Sequence, residues 1–392
     1  IEELVVRRAE VFRDKQGINL FTGHPVAHID RSAKVVGGIT LEGKPFETPY
    51  DKLLVATGAD AVLPEFPGVD LPGVMTLKTL EDGRRIKAMI AAKKVKKVVI
   101  LGMGYIALEM CEALRALDLE VAMVKPGPRF LPWLQEELAD RVREEVTTRG
   151  VALHAGHRIE RIETVGDGLR VVCEGLTLES EMVLVGIGVT PNSDLADAAG
   201  IALGVKGSVA VDRRLQTSDP DIYAAGDCAD AYHVVTGHKT WIPLALRANR
   251  AGWAAADNVC GQAVELPGVA GTAVFRVFEM EVARTGLTPQ EAEKAGFEPA
   301  EKMIKTRSRA HAHPGGSPIY VSLVGDKKTG RLLGAQMVGR EGVAHRINAP
   351  AVALHARMTV EDFSQTDLSY APPFGPTWDP CLTAANQLLK VL

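Results

Sequence analysis

Apolar residues fall along this chain in short dense runs separated by longer mixed stretches. Val98-Val99-Ile100-Leu101 and Val121-Ala122-Met123-Val124 have the length and composition of strands buried on both faces. Residues 105–117 read as the helix between them. The same reading places helices over 2–15, 80–92, 135–147 and 245–259. It places strands over 17–22, 26–29, 53–58, 151–153, 159–165, 169–173, 177–179, 182–185 and 222–225, with a further unit beginning at 209–211. Gly and Asp turns between 30 and 43 make the early strands a small antiparallel excursion. Beyond Gly261 the pattern changes. Strands over 272–278, 302–306, 319–324 and 332–338 precede helical stretches over 341–356 and 360–362, the signature of a separate α+β domain.

The turn after the 98–101 strand carries the first candidate chemistry. Gly102, Gly104 and Ala107 stand in G-x-G-x-x-A spacing. Gly102 permits a tight turn, Gly104 lets a pyrophosphate approach the backbone, and small Ala107 lets the helix pack closely on its strand. The helix N-terminus aims free N–H groups at the phosphates. Between a strand and a helix, with a second strand on schedule, the pattern marks a dinucleotide site rather than a glycine-rich turn of another α/β protein. NAD-specific sites usually end the second strand on an acidic residue that binds the ribose 2′-OH. Here that position is Lys125, which has only donors and suits a 2′-phosphate, with Arg129 one loop turn away across Pro126-Gly127-Pro128. Either these cations favour NADPH, alone or alongside NADH, or both are solvated loop residues. A second site is expected at Gly226-Asp227, at the carboxyl end of the 222–225 strand, where open α/β sheets bind ligands. Asp227 reads as a ligand acceptor or as a helix N-cap.

Composition narrows the partners. A chain of 392 residues has room for two or three domains with substantial cores. A net charge of −4 and the lack of a long basic run argue against nucleic acid. No apolar stretch is long enough for a membrane span. Cys111, Cys173, Cys228, Cys260 and Cys381 are scattered, with no Cys-x-x-Cys or zinc-ligand spacing, which fits a reducing cytoplasm and no metal site.

Five motifs then occur in order: Thr57-Gly58, Gly102-Met103-Gly104-Tyr105-Ile106-Ala107-Leu108-Glu109, Gly188-Val189-Thr190-Pro191-Asn192, Tyr223-Ala224-Ala225-Gly226-Asp227, and the tail Tyr370-Ala371-Pro372-Pro373-Phe374 with Asp379-Pro380. Together they resemble the pyridine-nucleotide disulfide oxidoreductase flavoproteins, in the branch of coenzyme A disulfide reductases, persulfide reductases and NAD(P)H oxidases. The resemblance implies an α/β fold with two Rossmann-like domains and a C-terminal α+β dimerisation domain. The FAD domain (1–80 and 201–265) is split by an NAD(P) domain (81–200), and the dimerisation domain covers 266–392. It implies that Asp227 bonds the FAD ribityl chain, that Thr57-Gly58 closes over FAD, and that the helix from Ala245 points its N–H groups at the flavin pyrimidine. Tyr105 would gate the nicotinamide pocket and Glu109 contact the carboxamide region. Gly188 joins the cofactor-binding set.

The resemblance also implies a homodimer in which Tyr370 donates a proton to a leaving thiolate; otherwise Tyr370 packs at a domain edge. The family pattern is joined at Ile1, after its first G-x-G-x-x-G unit and its redox cysteine, so both are expected upstream of Ile1. None of the five cysteines matches that motif, and Cys228 reads as a packed thiol. Where relatives carry Tyr-Tyr-Pro-Gly, this chain reads Ala310-His311-Ala312-His313-Pro314-Gly315. His313 takes a tyrosine's place or is a surface loop residue. The expected activity is FAD-dependent NAD(P)H oxidation coupled to reduction of a disulfide, persulfide or polysulfide such as coenzyme A disulfide. The alternatives are an NAD(P)H oxidase delivering electrons to dioxygen, or a redox sensor with little turnover.

Overall fold

The computed structural model describes residues 2–93 and 95–392. Its centre is a five-stranded parallel sheet in the order Val74–Thr76, Met182–Val185, Lys97–Leu101, Glu120–Lys125, Ala152–Ala155. The Lys97–Leu101 strand lies in the middle, so its last four residues are buried on both faces. The helices Leu80–Lys93, Tyr105–Arg115 and Glu136–Thr148 belong to this unit. The last is capped by Gln135, whose side chain accepts from the Leu138 N–H at 3.2 Å. A three-stranded antiparallel sheet of Ile159–Val165, Gly168–Cys173 and Leu176–Ser180 packs through Ile162, Leu169 and Val171 against the central strands.

A second unit is assembled from both sides of the first. Leu53–Val55 pairs in parallel with Ile222–Ala224, although each paired residue lies 169 positions from its partner. Its core joins Ile29 and Val55 to Ile201, Val209, Ala224 and Ala251. Ala196, on the short helix Asp194–Ala198, also packs there, although the sequence grouped it with the middle region. The crossing between units is a ribbon of Ala59–Ala61 against Val189–Pro191, two strands too short to register as apolar runs.

The C-terminal unit is a five-stranded antiparallel sheet ordered Ala273–Val277, Met280–Gly286, Leu332–Gly339, Pro318–Asp326, Pro299–Arg307. Phe275, Val277, Met280, Val282 and Val338 extend into the core of the central unit. Polar bonds fix the same boundary. Buried Glu145 accepts from Arg340 at 2.7 Å and from the Glu279 N–H at 3.3 Å. Gln336 donates to the Trp133 carbonyl at 2.8 Å and accepts from the Gln135 N–H at 2.7 Å.

Several expectations are corrected. The single helix expected over 2–15 is broken into a short turn, Glu2–Leu4, and a separate short helical stretch centred on Val11–Lys15, with nothing buried in either. Residues 17–22 form no strand, and 209–211 make only isolated bridges. The 341–356 stretch is two helices, Val343–Arg346 and Asn348–His355, with Pro350 in the first turn of the second. The strand Met280–Gly286 and the helix Pro380–Leu388 were not anticipated.

Two predictions follow from this packing. Gly102 has φ +109°, and a Cβ there would meet the Gly186 carbonyl oxygen at 2.3 Å. Gly102→Ala therefore costs about 2–4 kcal/mol from backbone strain and the forced displacement, read as a lower Cm in denaturant unfolding; an unchanged Cm would refute the close approach. His233 is buried and its pKa is pushed down to about 4, first by burial and then by the charges of Arg284 and His355. The unfolded chain takes up this proton near pH 6.5, so stability is full above that pH and is lost as pH falls towards about 4. The loss is up to about 3 kcal/mol, and His233→Gln should flatten that part of the stability–pH curve.

Candidate active site

The glycine turn meets the sheet at its carboxyl end. Gly102 donates to the Val124 carbonyl at 2.8 Å and lies against Gly186, as described above. Above Gly104 there is open space, where a Cβ would meet nothing within 4 Å. Ala107 is buried, and its Cβ lies 3.3 Å from the position a Cβ on Gly186 would take. The three small residues thus do different things: one passes under a neighbouring backbone, one leaves room for a ligand, one brings the helix down.

Two clefts flank the start of this helix. The first, about 390 Å³, has Tyr105, Ile106 and Glu109 on one side and Ala245, Arg247 and Arg250 on the other. The second, about 760 Å³, is lined by Tyr105, Gly188, Lys206, Trp241 and Leu244, among others. Tyr105 is common to both. Glu109 lies on the exposed side of its helix. Surrounding atoms and then the charge of Glu112 raise its carboxyl above the usual range. Glu112 and Arg115, on the same helix, are both engaged. Glu112 accepts the Phe278 N–H at 2.7 Å, and Arg115 donates to the Leu119 carbonyl at 2.8 Å.

At the other site, Gly226 has φ +86° with open space above it, and Gly58 likewise has φ +75°. Thr57 donates to the Asn192 carbonyl, and Asn192 returns a bond to the Thr57 carbonyl at 3.1 Å. Asp227 starts no helix, so its N-cap alternative falls; its carboxylate pairs with Lys78 at 3.1 Å. Its own carbonyl accepts from Trp241 Nε1 at 2.7 Å. Arg247, buried in the first turn of Ala245–Val259, donates to the Gly226 and Asp230 carbonyls and so holds the Gly226–Asp230 turn in place. Sequence reading missed Lys78, Trp241 and Arg247. An arginine in the first turn of an alanine-rich helix was the available signal for the last.

These residues fit the ribityl and ring end of a flavin dinucleotide. The helix Ala245–Val259 has no side-chain cap, which leaves its first N–H groups without a side-chain partner, and its first residues line a cleft. Such a helix end stabilises an electron-rich ring. The Asp227 carboxylate is an acceptor of the kind a sugar hydroxyl requires.

The remaining expected residues lie apart from the two clefts. Lys125 donates to the Arg129 carbonyl at 2.8 Å, and burial lowers its pKa. Arg129 lines a separate polar cavity with Trp133, Gln135 and Glu301. Tyr370 is half exposed, near in sequence to exposed Phe374 and Trp378. Arg346 ties this tail down, pairing with Asp379 at 2.9 Å and donating to the Phe374 carbonyl at 2.6 Å. His313 sits in an exposed loop, 3.0 Å from the Pro314 carbonyl through Nδ1. No cysteine lines either cleft among the described residues. Cys111 and Cys381 are buried, which pushes their thiols up, Cys111 to about 12. Cys228 is buried and donates to the Ala225 carbonyl at 3.3 Å. No metal-binding cluster and no helix long and apolar enough to cross a membrane occur among the described residues.

Comparison with known proteins accounts for this arrangement. A family model described as pyridine nucleotide-disulphide oxidoreductase matches residues 2–252, and one for the dimerisation domain of that family matches 272–380. The NAD(P)H sulfur oxidoreductase (CoA-dependent) of Pyrococcus abyssi is 37% identical over 389 residues, spanning 99% of this chain and 86% of that protein. The NADH oxidase of Methanocaldococcus jannaschii is 32% identical, spanning 100% of this chain and 87% of that one. The solved structure of an NAD-dependent persulfide reductase from A. fulgidus is similar with a TM-score of 0.95 at 35% identity, covering 99% of this chain and 72% of that chain. With its two nucleotide-binding units and its dimerisation domain, the chain belongs to the pyridine nucleotide-disulphide oxidoreductase family of FAD-dependent enzymes that use NAD(P)H.

Proposed function

We propose that this enzyme uses NAD(P)H to reduce a small sulfur substrate, a disulfide, persulfide or polysulfide of the coenzyme A type. The observation that carries this reading is the meeting of two clefts at Tyr105, one beside the glycine turn and both touching the N-terminal end of the Ala245–Val259 helix. In this reading, Gly102, Gly104 and Ala107 hold the pyrophosphate of NAD(P)H. Tyr105 gates the nicotinamide, and Glu109 contacts its carboxamide region. Thr57, Gly58, Gly188, Gly226, Asp227 and Ala245 hold the flavin. A bound flavin would supply the hydride-accepting and electron-releasing chemistry, and these residues would orient it and exclude water. The sulfur-named relatives support the substrate class.

The second reading is an NAD(P)H oxidase. It is supported by the oxidase relative. Anaerobic turnover separates the two. NAD(P)H oxidation with thiol release from coenzyme A disulfide supports the reductase, whereas oxidation that stops without dioxygen supports the oxidase.

We further propose a homodimer in which the exposed Tyr370, Phe374 and Trp378 meet a second copy, with Tyr370 serving the partner's site. Light scattering should give twice the chain mass of 42.0 kDa. Tyr370→Phe should slow disulfide reduction about ten-fold, as loss of a proton donor does; unchanged turnover would remove the donor role.

Lys125 and Arg129 are proposed as the contacts that admit a 2′-phosphate, so that NADPH is used at least as well as NADH. Because Lys125 is turned onto the Arg129 carbonyl, binding the phosphate exchanges that bond for a charged one. Lys125→Glu should shift kcat/KM towards NADH by about 2 kcal/mol, through a lost ion pair and a new repulsion. An unaltered ratio would make Lys125 a loop-bracing residue only.

A further inference from the structure

A single aromatic ring stands between the two clefts, and three parts of the chain combine to hold it. The Tyr105 ring lies 5.6 Å from that of Trp133 in edge-on geometry and 5.7 Å from that of Phe275. Trp133 and Phe275 are themselves 6.2 Å apart and edge-on, so the three rings close a triangle. Tyr105 opens the glycine-motif helix, Trp133 lies in the loop before the Glu136–Thr148 helix, and Phe275 belongs to the first strand of the C-terminal sheet. Arg284, on the neighbouring strand, stacks over Trp133 at 5.8 Å and pairs with Glu291 at 2.8 Å. The triangle has one movable member. Phe275 is buried at 6% exposure, and the Trp133 carbonyl is tied to Gln336, whereas Tyr105 is 39% exposed and borders both clefts.

We propose that Trp133 and Phe275 are positioning residues for hydride transfer: they seat Tyr105 across the path between the clefts, and the nicotinamide completes its approach only when Tyr105 leaves that seat. This rests on the reading of Tyr105 as the gate. Aromatic pairs of this geometry shift an equilibrium by roughly 2- to 10-fold each. A closed seat therefore weakens the apparent affinity for the dinucleotide in proportion to the open fraction. Through Phe275 that fraction depends on the C-terminal domain, although Phe275 lies outside the nucleotide motif.

Calorimetric titration of the FAD-loaded enzyme with NADP⁺, which binds without reducing the flavin, reads the seat directly. Trp133→Leu should tighten Kd by roughly 2- to 10-fold, and Trp133→Phe, which keeps a ring, should stay within about 2-fold of the parent enzyme. Tyr105→Ala should tighten binding as well, and adding Trp133→Leu to it should change nothing more. An unchanged Kd in Trp133→Leu, or an equal shift with and without Tyr105, overturns the seat while leaving the gate in place. A Kd unchanged or weakened in Tyr105→Ala overturns the gate itself. Phe275→Leu applies the same test from the opposite side should Trp133→Leu fail to fold.

Discussion

The close approach of two backbone turns at the carboxyl end of the parallel sheet governs the rest of the site. Gly102 passes against the Gly186 carbonyl, and Ala107 comes down on the same glycine. A larger residue at either place would lift the helix from the sheet. With the helix so low, Gly104 faces open space and Tyr105 emerges at the level of both clefts. One steric constraint therefore sets both the open space above Gly104 and the position of the ring that divides the clefts.

That ring needs a fixed background, which comes from the docking of the C-terminal sheet. The hydrophobic core of the central unit continues into that sheet without a break. Glu145, almost wholly buried, accepts bonds from Arg340, Arg149 and a backbone N–H. A buried carboxylate is tolerated only when its oxygens are satisfied in this way, and removing one partner would be costly. The Gln336 and Glu112 bonds are of the same kind, each pairing a side chain with backbone across the boundary.

The unit built on Leu53–Val55 and Ile222–Ala224 follows another logic. Its two-stranded parallel pair joins segments far apart in sequence, so its loops are held by single polar residues. Arg247 holds the Gly226–Asp230 turn, Asn192 braces Thr57, and Trp241 fixes the Asp227 carbonyl. Arg247 and Trp241 satisfy buried or partly buried backbone carbonyls that would otherwise lack partners.

The sequence by itself determined the central parallel sheet, the glycine turn and the alanine-rich helix, because short β-branched runs, small residues at fixed spacing and helical periodicity are local properties. The order of five motifs was enough to indicate the family. It also held a signal for the helix Pro380–Leu388 in Asp379-Pro380, an N-cap followed by proline at N1, which was read only as a motif. Tertiary structure alone decided which cations and aromatics matter. Lys125 looked like a free strand-end charge and proved to be turned onto the Arg129 carbonyl. Glu112 joins two domains, while Glu109, three residues earlier on the same helix, lines the cleft. The strand Met280–Gly286 was hidden because Arg284 interrupts its apolar pattern, and that arginine finds its partners in Glu291 and Trp133. Such pairings depend on distances between residues tens to hundreds of positions apart, and no local pattern of hydrophobic and polar residues encodes them.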